Sequence, residues 1–339
     1  MPISSENQLK DKQMRILVTG GSGRLGNVVV RKLVEKGNIV RVFTGGDHLH
    51  EKSLSGVPVE IYAGNLLDKG SVTNALEDID IVFHLAAKII LAPDKDGSVW
   101  KVNVEGTSNI AAACLAKNIR LVHCSSHHAL NKYPLDKPMD ETRELALTDP
   151  TAYHRTKAYA EKKILDLVSQ GLDAVIVNPG TLIGPYDYEP SILANALLDL
   201  AKGKLPAIME GLSDYADVRD VADGILLAAE KGKRGERYFL TGAMLSMLEV
   251  SNLIEKITGR KTTKTILPLW LMHALLPFIK IAAKINGKEP LFTKEMLEAA
   301  QSPKEVIHLK AEKELGFKAR PIEESFKDSF DWYKAEGWI

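Results

Sequence analysis

Residues 19–26 read Thr19-Gly20-Gly21-Ser22-Gly23-Arg24-Leu25-Gly26, TGGSGRLG, and directly follow the apolar run MRILV (14–18). A β-branched run that breaks into clustered glycines and resumes as NVVVRKLVEKG has the form of strand, tight turn and helix. Gly20, Gly23 and Gly26 fall three apart, and Gly21, Gly23 and Gly26 also satisfy G-x-G-x-x-G. Glycines at this spacing permit the turn, let the backbone approach a pyrophosphate and allow close contact between helix and strand. A helix starting near Arg24 would turn its free N–H groups and positive dipole end toward that pyrophosphate. The loop names a class of ligand, a dinucleotide, and no reaction; a bare structural turn is the competing reading.

Working outward, short apolar runs recur at 15–19, 39–43, 59–63, 81–86, 120–124 and 174–178. Helix-like stretches lie between them, near 24–36, 71–77, 103–117 and 151–169. This alternation predicts a parallel sheet covered on both faces, with ligands at the carboxyl ends of its strands. Beyond Pro179 the pattern loosens into helices near 191–202, 219–230, 246–258 and 292–300, and a strand at 237–242 is expected to rejoin the sheet. The expected fold is α/β, a Rossmann-type doubly wound parallel sheet with a smaller, mainly helical C-terminal lobe. Residues 1–13 form a polar tail, 14–180 the dinucleotide-binding domain (with segments near 215–245 returning to it) and 181–339 mainly a substrate-binding lobe.

Forty-four basic residues balance forty-four acidic ones, which gives no electrostatic case for nucleic acid or an anionic membrane as partner. Two cysteines, Cys114 and Cys124, provide no disulfide framework, and the polar start lacks the apolar core of a signal peptide. A cytoplasmic location is expected. The apolar stretch Ile266–Ile285 is broken by Pro268, His273, Pro277 and Lys280, so it is expected to be a buried or groove-lining helix rather than a membrane span. Trp270 and Phe278 within it are assigned to the core, and Tyr186 and Tyr188 to a pocket wall.

Chemistry enters at Tyr153 and Lys157 in TAYHRTKAYAEKKI. Four residues apart on a helix, they share one face. An unperturbed phenol titrates near 10, too high for proton exchange at neutral pH, and an adjacent ammonium would lower that value. Ser125 and Ser126 close the run RLVHC (120–124), where a parallel sheet displays catalytic groups. A hydroxyl there could stabilise charge on a substrate oxygen. His123, Cys124, His127 and His128 do not match a zinc spacing, and no metal is expected; His127 and His128 are assigned to the rim of the substrate pocket.

Taken together, TGGSGRLG (19–26), HLAA (84–87), NVEGT (103–107), Ser125-Ser126, Tyr153-x-x-x-Lys157, NPGTLIGP (178–185) and YADVRDVADG (215–224) resemble the extended short-chain dehydrogenase/reductase family. The type is the NAD(P)-dependent epimerase/dehydratase type, and the C-terminal AEKELGFKARPIEESFKDSFDWYKAEGW is most similar to its dihydroflavonol-reductase-like and sugar-epimerase-like branches. The resemblance implies a carbonyl/alcohol oxidoreductase, dihydroflavonol-reductase-like or hydroxysteroid-dehydrogenase-like, with Tyr153 as acid/base, Lys157 as its partner and Ser126 as the catalytic hydroxyl. The alternatives are an NDP-sugar epimerase or dehydratase with tightly held NAD, and a non-catalytic dinucleotide-binding regulator. Cofactor contacts implied are Gly20, Ser22, Gly23, Arg24, Leu25, Gly26, Asn65, Leu66, Ala86, Ala87, Lys88, Asn103, Ser125, Tyr153, Lys157, Pro179 and Gly180. A homodimer through the helices near 103–117 and 151–169 is also implied, acting on a small carbonyl or alcohol.

The second strand is followed by Thr44-Gly45-Gly46-Asp47-His48, without a carboxylate at its immediate end. A carboxylate there binds a ribose 2′-OH, whereas an arginine accommodates a 2′-phosphate. With Arg24, His48, His50 and Lys52 nearby, NADP(H) is favoured over NAD(H).

Overall fold

The structure is a computed structural model that describes residues 13–46, 48–90, 93–285 and 293–339. The N-terminal half alternates β1 (Arg15–Thr19), α1 (Arg24–Glu35), β2 (Ile39–Thr44), α2 (Leu49–Ser53), β3 (Glu60–Ala63), α3 (Lys69–Ala75) and β4 (Ile81–His84). Helix α4 (Ser98–Trp100) then runs through a π-helical segment, Lys101–Gly106, into α5 (Thr107–Lys117). Strand β5 (Arg120–Cys124), helix α6 (Ala152–Val168) and strand β6 (Ala174–Pro179) complete the half. The seven strands of the main sheet, in the spatial order β10-β6-β5-β4-β1-β2-β3, are all parallel; β10 (Arg237–Leu240) lies beside β6. Strand order reverses between β1 and β4, so the crevice that a doubly wound sheet offers a ligand opens there.

The strands are nearly continuous in apolar residues because both faces are covered. One face packs β-branched residues of β1, β2 and β5 under α1 and α8 (Val218–Lys231), with Val28, Val29, Val221 and Ile225 buried between them. The other packs Leu17, Val82, Leu121 and Ile176 under α3, α5 and α6 through Val72, Ile110 and Ile164.

The C-terminal part adds β7 (Thr181–Ile183), α7 (Ile192–Ala201), β8 (Ile208–Met209), β9 (Leu212–Asp217), β11 (Ala243–Ser246) and α9 (Met247–Thr258). It continues with β12 (Ile266–Leu267), α10 (Leu269–Ile285), α11 (Lys294–Ala299), α12 (Leu309–Leu315) and α13 (Ile322–Ala335). A three-stranded sheet, β11-β9-β7, carries α7, α9 and α13 around Tyr215, Ile254 and Phe326. Helix α9 starts on a capping box, Ser246 with Glu249, that satisfies two end N–H groups reciprocally.

The expectation of core positions for Trp270 and Phe278 fails. Trp270 and Phe278 on α10 are 71% and 68% exposed, because the buried side of this amphipathic helix is the one bearing Met272 and Leu276. Half-buried Tyr186 and Tyr188, the residues expected at a pocket wall, pack on Trp332 of α13, 5.2 and 5.1 Å between ring centres. Among the described residues no helix is long and apolar enough to cross a membrane.

Candidate active site

The glycine loop separates three tasks among its residues. Gly20 sits at φ +71°, and a Cβ there would stand 2.7 Å from the backbone nitrogen of Ala86 at the end of β4. A Cβ on Gly26 would stand 1.9 Å from the Gly20 carbonyl oxygen, so α1 can approach β1 only with glycine at that position. Gly23, with φ −69°, meets nothing closer than 3.4 Å and is free to face a ligand. No side chain caps α1 and no acidic residue occupies its first turn, which leaves the helix-start N–H groups for an anion. Ser22 and Leu25 are buried in this turn.

Opposite the loop, Ala86, Ala87 and Lys88 line the crevice half-buried. The Ala86 N–H donates to Thr19 Oγ1 at 3.3 Å, and the Lys88 N–H donates to Asn103 Oδ1 at 2.7 Å. Asn103 lies in the π-helical segment and returns its amide N–H groups to the Lys88 carbonyl and to Thr156 Oγ1, at 3.0 and 3.1 Å. It thereby clips the end of β4 to α6 one residue before Lys157. Helical segments of this widened type are frequent at functional sites.

Ser126, Tyr153 and Lys157 converge at the carboxyl end of β5. Ser126 begins the short 3₁₀ turn His127–Ala129 and accepts the His128 N–H at 3.2 Å. Its hydroxyl lies near enough to the Tyr153 phenol to draw that group's pKa downward. Lys157, one turn along α6, is 4% exposed and donates to the Cys124 carbonyl at 2.8 Å, leaving two of its three N–H donors for other acceptors. Burial lowers the Lys157 ammonium below its ordinary value, against the nearby Cys124 thiol and Glu161 carboxylate, which raise it. Tyr153 is pushed up, first by burial and next by Cys124, with the Ser126 hydroxyl pulling down. The lowering expected from Lys157 is not among the influences on the phenol; burial dominates, and the phenol rests protonated.

Behind this triplet the sheet is polar but uncharged. His84 and His123, register partners on β4 and β5, stack at 5.5 Å, and burial holds both neutral, His84 down to about 3. His84 bridges Thr19 and Thr107 at 2.7 and 2.9 Å. His127 bonds the Pro179 carbonyl at 3.1 Å, and His128 stacks on His154, which faces Asp149 at 3.3 Å. Burial depresses His127 to about 4 and His128 further. These interactions assign the histidines to the wall of the site; among the described residues no group of three His, Cys, Asp or Glu side chains is arranged to hold a metal ion.

Several buried polar atoms at the strand ends have no protein partner: Ser125 Oγ, His127 Nε2, Asn178 Oδ1 and Asp214 Oδ2. With the glycine cradle and the uncapped helix start, they fit a polar ligand laid across the crevice from α1 toward Gly180. The residues suit a dinucleotide.

At the adenosine end the picture differs from expectation. Arg24 does not turn toward the end of β2. Its guanidinium bonds the Leu182 and Gly184 carbonyls and faces Asp187 at 3.4 Å, deep between α1 and the loop after β7. Lys52 is paired with Glu336 and His48 with Glu51. Three of the side chains expected to meet a 2′-phosphate thus already face carboxylates, and Asp47 lies outside the described residues. Asn65 spends its acceptor on the Leu67 N–H at 2.9 Å, and the Leu66 carbonyl is held by Asn109.

Asp214 went unnoticed in the sequence. It is a buried carboxyl on β9 pressed against Gly180, and its only local signal is an acidic residue among the strand-forming residues of LSDYAD.

The family described as "NAD dependent epimerase/dehydratase family" matches residues 16–240. The chain is 31% identical to the protein named sterol demethylase protein B of Methylococcus capsulatus, over 96% of this chain and all of that one. It is also 31% identical to a putative dihydroflavonol 4-reductase of Synechocystis sp., over 95% of each. Among solved structures, that of gox2253 superposes with a TM-score of 0.84 at 31% identity, covering 96% of this chain and all of the other. A UDP-glucose 4-epimerase from Thermotoga maritima shares the fold, with a TM-score of 0.78 at 21% identity over 95% and 99% of the two chains. The chain belongs to the NAD dependent epimerase/dehydratase family, within the extended short-chain dehydrogenase/reductase group of NAD(P)-dependent oxidoreductases.

Proposed function

We propose that this enzyme reduces the carbonyl of an uncharged, largely apolar compound to the alcohol, with a nicotinamide dinucleotide in the crevice between β1 and β4. The observation that carries the reading is the meeting, at the carboxyl end of β5, of the Ser126 hydroxyl, the Tyr153 phenol that burial keeps protonated and the Lys157 ammonium held on the Cys124 carbonyl. The reduced dinucleotide supplies the hydride to the carbonyl carbon. As the carbonyl oxygen gains charge, the Ser126 hydroxyl donates a hydrogen bond to it and Tyr153 transfers its phenolic proton to it, giving the alcohol. Lys157 stabilises the phenolate left behind, which regains a proton from water before the next turnover.

A phenol that burial keeps protonated is poised to give a proton, which suits reduction over oxidation at neutral pH. His127 and His128, which burial keeps neutral beside Ser126, suit an uncharged substrate, and relatives named as reductases agree with the direction. With Arg24, His48 and Lys52 already paired, the proposal is made for NAD(H) and NADP(H) alike.

The test is loss of dihydronicotinamide absorbance with a panel of apolar ketones. Tyr153→Phe should lower turnover by about 10²–10⁴-fold while the dinucleotide Kd stays within twofold of wild type. Undiminished turnover in this variant refutes the assignment. Dinucleotide that survives purification, with no net consumption of added coenzyme, refutes the reductase reading in favour of an epimerase or dehydratase.

A further inference from the structure

Asp214 sits on β9, behind the Gly180 backbone at the end of β6. Its Oδ1 accepts the Gly242 N–H at 3.1 Å, while Oδ2 is buried without a partner. A Cβ on Gly180 would stand 1.8 Å from that Oδ2, so the carboxyl lies directly behind the Gly180 backbone. Gly180 follows Pro179, whose carbonyl is held by His127, the neighbour of Ser126. Three segments therefore meet at one carboxyl: the β6–β7 junction beside the reacting centre, β9, and the β10–β11 turn.

Among the described residues no counter-charge serves this group. The strands on either side of β9, Thr181–Ile183 and Ala243–Ser246, carry no ionisable side chain. On β9 itself Tyr215 packs on Phe326, and Asp217 is committed to Arg219 and Arg320. Across the Gly242 turn the nearest titratable ring, His308, is bonded to Thr241. Toward the crevice lie His127, held neutral by burial, and Tyr153 and Lys157 of α6. An ion without a partner in such a place is costly, so the group stays a neutral acid until the medium turns alkaline enough to take its proton.

We propose that Asp214 is a positioning residue for the nicotinamide end of the crevice, whose ionisation favours the oxidised over the reduced dinucleotide. The inference rests on the reductase reading given above. The oxidised nicotinamide ring carries a positive charge and the reduced ring carries none. A carboxylate behind Gly180 attracts the first and is indifferent to the second, whereas the neutral acid makes no such distinction. Burial raises Asp214 to about 7, so the changeover falls near neutral pH.

The experiment uses the full chain. The Kd of NADPH and NADH is measured by fluorescence, and that of NADP⁺ and NAD⁺ by competition, from about pH 6 to about pH 8, one unit either side of the group's midpoint. Taking the ratio of oxidised to reduced Kd cancels titration of the adenosine phosphates, which are the same in both forms. In wild type the ratio should fall by about tenfold as pH rises, with a midpoint near 7; in Asp214→Asn it should stay flat. A flat ratio in wild type, or the same fall in both proteins, overturns the inference and leaves the reductase reading standing. Failure of either nucleotide to bind at any pH overturns both. Should Asp214→Asn not fold, the wild-type titration decides alone.

Discussion

Replacing Gly26 and Gly23 by alanine, one at a time, separates what the loop does for the fold from what it does for the ligand. At Gly26 the new methyl group would stand 1.9 Å from the Gly20 carbonyl oxygen, where real Cβ contacts do not fall below 3.0 Å. The oxygen must therefore retreat by an ångström or more. Retreat is blocked, because Gly20 is itself wedged against Ala86, with only 2.7 Å to the position its own Cβ would take. Helix α1 must instead lift from β1, loosening Val28 and Val29 in the core. Overpacking of this kind costs about 1–3 kcal/mol, and the two-sided wedge places Gly26→Ala near the upper end. At roughly 2–3 °C per kcal/mol for a chain of this size, Tm should fall by roughly 5–8 °C. At Gly23 the same methyl meets only the Gly20 oxygen at an ordinary 3.4 Å, with φ −69° acceptable to alanine. Gly23→Ala should shift Tm by no more than about 1 °C, yet weaken dinucleotide binding about tenfold or more because the methyl stands where the pyrophosphate approaches. Calorimetry and fluorescence titration read the two effects. An unchanged Tm for Gly26→Ala, or wild-type affinity for Gly23→Ala, refutes this division of labour.

Arg24→Ala leaves the buried Asp187 without its cation, which should cost about 3 kcal/mol and weaken NAD(H) and NADP(H) by the same factor. A selective loss of NADP(H) would show instead that Arg24 reads a 2′-phosphate. Ser126→Ala should lower turnover by roughly 10²-fold with dinucleotide Kd unchanged; equal effects on both would make Ser126 a structural residue. Asp214 also enters stability. Its carboxyl is raised from the ordinary range near 4 to about 7 on folding, so the folded chain holds a proton that the unfolded chain has lost. Stability from this group is therefore full in acid, falls as pH rises from about 4 to about 7, and stays low above that. Asp214→Asn should raise Tm relative to wild type at about pH 8 and bring no such gain at about pH 4, by the same linkage. A gain independent of pH would refute the titration.

Much of this was legible because it is local. The apolar runs at 15–19 and 120–124 form strands where expected, and the run at 81–86 forms one over 81–84, since burial on both faces leaves no alternation to misread. Tyr153 and Lys157 fall on one helix face by spacing alone, and Ser126 lies at a strand end by counting. What escaped was the choice of distant partners. Nothing near Arg24 reveals that its guanidinium crosses to Asp187, and nothing near Asp214 reveals that Gly180 will rest on it. Trp270 and Phe278 were misassigned because apolar content shows that a helix has something to bury without showing which side the neighbours cover. The π-helical turn at Lys101–Gly106 carries no composition of its own; it exists so that Asn103 can reach both Lys88 and Thr156.

The path taken by Arg24 ties two regions whose duties differ. The helix whose start is left open for phosphate is also sewn to the loop that leads into the C-terminal lobe, by Arg24 to Leu182, Gly184 and Asp187 and by Asn27 to the Tyr186 carbonyl at 3.1 Å. Any shift of the start of α1 must therefore break or drag four contacts to residues 182–187, so helix and loop are bound to move together.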